Sequence, residues 1–195
     1  MGCEVTFHDH VGRDQLTAAI EPMQIEAVTS LLESAIDETV AVALGRQPCE
    51  VELTLCGDTE MERLNFDHMG DRSPTDVLSF PLHEWSIDGR HSHLADDDGV
   101  SPPGATLLGD VVLDVDQAVR QASAGGWSVP EEMVLLAIHG TLHLLGHDHA
   151  DMDEEQVMRR LEHDVLAALH RRHREVSWKP GSLFDRAGHA VTTGS

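Results

Sequence analysis

At 195 residues the chain is long enough for one domain with a substantial core, and a hydrophobic content of 41% suits a soluble globular protein. A net charge of −22 with a single lysine, Lys179, argues against a broad nucleic-acid-binding face, which needs a basic patch. No apolar run approaches the roughly 20 residues that span a bilayer, the N-terminus lacks a basic and then apolar leader, and Cys3, Cys49 and Cys56 form no C-x-x-C pair, so a cytoplasmic protein with reduced thiols and no membrane contact is expected.

Residues 3 to 7 alternate and predict a first strand. Pro22 to Leu44 carries Ile25, Val28, Leu32, Ile36, Val40 and Ala43 at helical spacing, with Pro22 in the first turn and Gly45 closing it. Val51 to Cys56 alternates strictly as a second strand. Asp58 is then expected to cap a short helix through Asn65, and Asp76 to Phe80 to form a third strand stopped by Pro81. Residues 83–105, rich in His, Asp, Gly and Pro, read as a mobile acidic surface insertion. His91 and His93 with three nearby aspartates offer weak metal ligands there, but a solvated loop is the favoured reading.

Leu107 to Val115 is near-continuously apolar and predicts a central strand. A helix over 116–123 should end at Gly125-Gly126. Ser128 and Glu131 make a capping box, with Pro130 in the first turn, for a helix apolar around most of its circumference. Residues 151–172 carry Val157, Leu161, Val165 and Leu169 on one stripe of a last helix. The remainder, 174–195, is basic and without periodicity, and is expected to be a disordered tail. The order predicts an α/β domain over 1–173: a small mixed sheet of about four strands packed with helices, its third strand antiparallel at an edge.

The strongest functional signal is His139-Gly140-Thr141-Leu142-His143-Leu144-Leu145-Gly146-His147-Asp148-His149. Two histidines four apart on a helix share one face. Gly146 can end the helix in the left-handed conformation and return the chain, so that His149 arrives from the other side. Three imidazoles with an open fourth position suit one catalytic zinc ion per chain. The spacing is that of the zinc-protease signature H-E-x-x-H-x-x-G-x-x-H, but Gly140 stands where the glutamate base would be. That retains a metal cage and removes the protease's base. Asp148, His147 and Asp76 remain as candidate bases, with structural roles the favoured readings for Asp148 and Asp76.

The histidine run resembles the H-G-x-L-H-L-x-G-x-D-H motif of the YbeY family of bacterial endoribonucleases. Pro74 to Pro81, reading P-T-D-V-L-S-F-P, is similar to that family's T-D-V-L-S-F-P segment, and Leu108-Gly109-Asp110-Val111 to its strand beginning L-G-D-I. Leu64-Asn65 matches the start of the stretch before it. The resemblance covers roughly residues 3 to 170. It implies a zinc-dependent, single-strand-specific endoribonuclease that matures the 3′ end of 16S rRNA and acts in ribosome quality control, with the small ribosomal subunit and assembly factors as partners. It carries zinc ligation to His139, His143 and His149, and marks Thr75, Asp76 and Ser79 as candidate substrate contacts. Where the family usually has an arginine four residues past the asparagine, this chain has Met69, and Arg72 is the candidate to replace its charge. A non-catalytic zinc-containing ribosome-assembly factor is the alternative, and a metallopeptidase a third reading that Gly140 disfavours.

Overall fold

The computed structural model describes residues 2–11, 19–20, 25–70, 72–73, 75–88, 91–94, 104–149 and 151–173. The expected tail at 174–195, the helix start at Pro22 and the aspartate run of the insertion lie outside them. Six strands and five helices are found among the described residues. The strands are β1 (Cys3–Asp9), β2 (Cys49–Cys56), β3 (Val77–Pro81), β4 (Trp85–Asp88), β5 (His91–Leu94) and β6 (Thr106–Asp114). The helices are α1 (Ile25–Ala43), α2 (Asp58–Met69), α3 (Val115–Gly125), α4 (Val129–Leu144) and α5 (Met152–Arg172).

The main sheet has the order β1-β2-β6-β3. β1, β2 and β6 run parallel, and β3 lies antiparallel at the edge beside β6. The apolar run of β6 thus occupies an inner strand, as its composition requires. Alternation along β2 and β6 sends Val51, Leu53, Leu55, Val111 and Leu113 into the large core beneath α1, α4 and α5. Cys56 and Val112 point the other way, where they meet Met61 of α2 and Leu78 of β3 in a smaller cluster.

Helix ends follow their sequence signals where those are local. Ser128 and Glu131 form the capping box at the start of α4, and Gly126 closes α3 in the left-handed conformation. Asp58 departs from expectation. Gly57 occupies the N-cap of α2 with no side-chain bond, and Asp58 is the first helical residue. Its carboxylate is gripped by both terminal nitrogens of Arg120 at 2.6 and 2.8 Å, which leaves it turned away from the helix amides.

The larger departure is at 83–105. Part of this segment is a two-stranded sheet, with Trp85 opposite Leu94 and Ile87 opposite Ser92. Ser92 is 3% exposed. Each strand is four residues long, β4 half polar and β5 mostly so. What holds it is one inward residue per strand, Trp85 and Ser92, packed on the end of α4.

Asp114, fully buried, caps α3 by accepting from the Asp116 and Gln117 amides. Burial, followed by the carboxylate of Asp58, raises its pKa to about 7 against the amides' opposing pull. As pH rises from about 4, the unfolded carboxyl ionises while the folded one keeps its proton until about 7, so stability from the neutral form is lost across that window. Asp114→Asn stays neutral and keeps the accepting oxygen. The stability of the variant relative to the parent should therefore improve between pH 4 and pH 8 in denaturant titrations. A relative stability independent of pH would show that Asp114 is not the titrating group.

Candidate metal centre

Helix α4 is buried along nearly its whole circumference. Between Glu131 and Leu145 only Leu135, His139 and His143 are less than buried, a single stripe at i, i+4 and i+8. The opposite side lies hard on the sheet. A Cβ at Gly140 would stand 2.6 Å from Val77 Cγ2 and 2.9 Å from Val111 Cγ1, so no side chain fits. The glutamate of the zinc-protease signature could not be accommodated at this position without lifting the helix. Ser79 Oγ donates to the Gly140 carbonyl at 2.7 Å, a second tie between β3 and α4.

The helix ends in a Schellman motif. Gly146, at φ 83°, occupies the left-handed position. Its amide donates to the His143 carbonyl, and the His147 amide to the Leu142 carbonyl, each at 3.0 Å. The reversal brings His149 back over the stripe. Its ring centroid lies 5.6 Å from that of His139 and 5.1 Å from that of His143. One ring nitrogen from each of the three lies within 4.8 Å of the others.

The tautomer of His139 is set from outside. His139 Nδ1 is 2.8 Å from Glu162 Oε1 on α5, so Nδ1 carries the proton and Nε2 is free to ligate. Asp148 Oδ1 lies 3.9 Å from His143 Nδ1. The two Nε2 atoms converge to 3.2 Å, close to the roughly 3.3 Å between two nitrogens of a tetrahedral zinc site with bonds near 2.05 Å. Burial first, then the neighbouring His139 and His149 rings, push the His143 pKa down to about 4, which keeps it in the neutral form a metal requires. The donor set, its spacing and its outer partners fit a zinc ion.

The chain belongs to the YbeY family. The family described as Endoribonuclease YbeY matches residues 15–170. Proteins named Endoribonuclease YbeY are similar over most of their length. That of Desulfitobacterium hafniense (strain Y51) is 38% identical over 143 residues, 73% of this chain and 86% of the relative. That of Geobacillus kaustophilus (strain HTA426) is 39% identical over 153 residues, 77% of this chain and 90% of the relative. That of Frankia casuarinae is 42% identical over 144 residues, 69% of each chain. Membership in this family makes the protein a nuclease, and its histidine cluster a group that could bind a metal. No helix among the described residues is long and apolar enough to cross a membrane.

The other sequence-nominated residues are distributed unevenly. His147 is 4% exposed, its Nε2 is 3.0 Å from Ser92 Oγ, and burial lowers its pKa. As a proton acceptor for substrate it is walled off. Asp148 is exposed beside the rings, and its Oδ1 accepts from the His149 amide. Asp76 accepts from Gln121 Nε2 at 2.8 Å and its carbonyl from the Asp114 amide, a role in seating α3 against the start of β3. Thr75 Oγ1 donates to the Val77 carbonyl at 3.4 Å. Arg72 lays its guanidinium over the Phe66 ring, 4.1 Å from the centroid. Glu162 was missed by sequence reasoning. It lies 23 residues from His139, and its only local sign is its place on the polar side of the last helix.

Glu162→Gln keeps an accepting oxygen but removes the charge behind His139 Nδ1. Zinc affinity, read by competition with a chromophoric chelator, should fall by about 10-fold, and Glu162→Ala by up to about 100-fold. Unchanged affinity in both variants would mean that Glu162 does not orient the ring.

Proposed function

We propose that this protein is a zinc-dependent, single-strand-specific endoribonuclease that matures the 3′ end of 16S rRNA and contributes to ribosome quality control, working in the cytoplasm on the small ribosomal subunit with its assembly factors. The observation that carries this reading is the convergence of His139, His143 and His149, with Glu162 behind His139 Nδ1, in a chain of this family. A bound zinc supplies Lewis acidity and a +2 charge toward a phosphoryl oxygen. His139, His143 and His149 would hold it.

Asp148 is the best placed of the three candidate bases, since its carboxylate is exposed at the rim while His147 is enclosed and Asp76 engages Gln121. Thr75 and Ser79 lie on or beside the edge strand that flanks α4. Their hydroxyls donate to backbone carbonyls, so any substrate contact uses their lone pairs as acceptors or follows a change of hydroxyl partner. Arg72 is the candidate for the phosphate contact that the family arginine would make, because its stem is exposed and the ring beneath it holds the guanidinium without neutralising it.

One observation favours the assembly-factor alternative: position 69 presents an exposed methionine rather than a cation. The peptidase reading fails at position 140, where no side chain fits.

Zinc-loaded protein should cleave a single-stranded RNA, leave a duplex of the same sequence and casein intact, and lose both zinc and cleavage in His143→Ala. Zinc retained at one per chain by that variant would remove the three-histidine assignment. An RNA left whole by the loaded parent would favour the assembly factor. Arg72→Ala should slow cleavage by on the order of 100-fold with zinc content intact, as loss of one charge-stabilising donor does. A rate equal to the parent's would place the charge elsewhere.

A further inference from the structure

We propose that Ser92, on the inserted hairpin, is a positioning residue for the metal centre: its hydroxyl fixes the turn that carries His149 and that orients His143. The proposal rests on reading the three histidines as a metal site. Ser92 Oγ donates to the Leu145 carbonyl at 2.8 Å and lies 3.0 Å from His147 Nε2. The hydroxyl has one proton, which the carbonyl takes, so His147 donates from Nε2 and Ser92 accepts. Leu145 is the C-cap of α4, where carbonyls have no partner within the helix. Ser92 supplies that partner from 53 residues away.

The other strand of the hairpin presses on the next residue. A Cβ at Gly146 would stand 2.6 Å from Trp85 Cβ, so β4 packs directly against the turn. Leu145, Gly146 and His147 are therefore held in succession by Ser92, Trp85 and Ser92 again. The held segment touches the metal ligands at two points. Asp148 Oδ1 lies 3.9 Å from His143 Nδ1, so the turn that the hairpin fixes through the His147 side chain carries a carboxylate to one ligand. His149 follows two residues on. A turn free to shift by a few tenths of an ångström would misdirect both. Groups bonded directly to a ligand typically govern affinity by about 10- to 100-fold, and Ser92, one step further out, acts through the turn and so at the lower end of that range.

A hydroxyl that merely satisfied buried polar groups would affect folding and leave the metal's surroundings alone. The two roles separate by metal affinity and by the visible absorption of cobalt(II) in place of zinc. Metal-free parent, Ser92→Ala, Ser92→Thr, His147→Phe and Asp88→Ala are titrated with zinc against a chromophoric chelator and with cobalt(II). Asp88 is an exposed residue at the tip of β4 and serves as the hairpin control. Ser92→Ala should bind zinc about 10-fold or more weakly with an altered cobalt spectrum. Ser92→Thr, which keeps the hydroxyl, should restore affinity to within about 3-fold and recover the spectrum, and Asp88→Ala should match the parent. His147→Phe keeps a buried ring without the donor, and should weaken zinc binding even if Ser92→Ala does not fold. Parental affinity and spectrum in Ser92→Ala overturn the proposal, as does parental affinity in His147→Phe when Ser92→Ala is unfolded. A parent that takes up no zinc overturns the metal-site reading itself.

Discussion

Helix α4 meets the sheet at a depth that leaves position 140 no room for a side chain, and the arrangement of the site follows from that contact. With Val77 and Val111 against Gly140, and Ser79 bonded to its carbonyl, the helix can neither roll nor lift. Its rotation decides which residues reach the surface, and only the stripe of Leu135, His139 and His143 does. A larger residue would push the helix off β3 and β6, at a cost that overpacking usually sets at about 1–3 kcal/mol. It would also displace two rings whose Nε2 atoms lie 3.2 Å apart. The glycine that distinguishes this motif from a protease signature is thus a packing requirement as well as the absence of a base.

The outer partners of the site come from three separate parts of the chain. Glu162 reaches His139 from α5, Asp148 lies beside His143 from the turn, and Ser92 reaches that turn from the hairpin. This explains what could be read from the sequence. The triad, the left-handed glycine at 146 and the Ser128–Glu131 box are local patterns, each set by spacings under about ten residues. The parallel sheet with an antiparallel edge strand was also legible, because β6 is apolar on both faces and β3 is short. Glu162 and Ser92 were not legible, since a glutamate on a polar helix face and a serine in a polar loop look like solvated residues until the fold apposes them. The hairpin hid for the same reason: an amphipathic strand of four residues shows little more than one period of alternation.

How so acidic a chain meets RNA is an electrostatic problem, and the described arginines are largely committed. Arg63 pairs with Glu60 and Asp67, Arg120 with Asp58, Arg46 with Asp37 and Glu38, and Arg172 with Glu38. Each such pair screens a cation from phosphate. Among the described residues Arg72 meets an aromatic face, which supports a guanidinium without cancelling its charge. A fixed +2 charge among three neutral imidazoles would be the other strong local attraction. On the proposed reading, affinity would come from a few focused contacts rather than from a field over the surface, because a net charge of −22 opposes long-range steering of a polyanion.

Focused contact places a stricter demand on geometry than diffuse attraction does. Where a basic surface lets a polyanion slide and adjust, a site with one or two attracting groups works only if those groups are already aimed. The hairpin meets that demand with little material. It commits Trp85 and Ser92 to the turn and leaves its remaining polar side chains, such as those of Asp88, His91 and His93, to solvent. A short polar hairpin can therefore stay largely in solvent and still, through Ser92 and Trp85, hold the turn that carries His149.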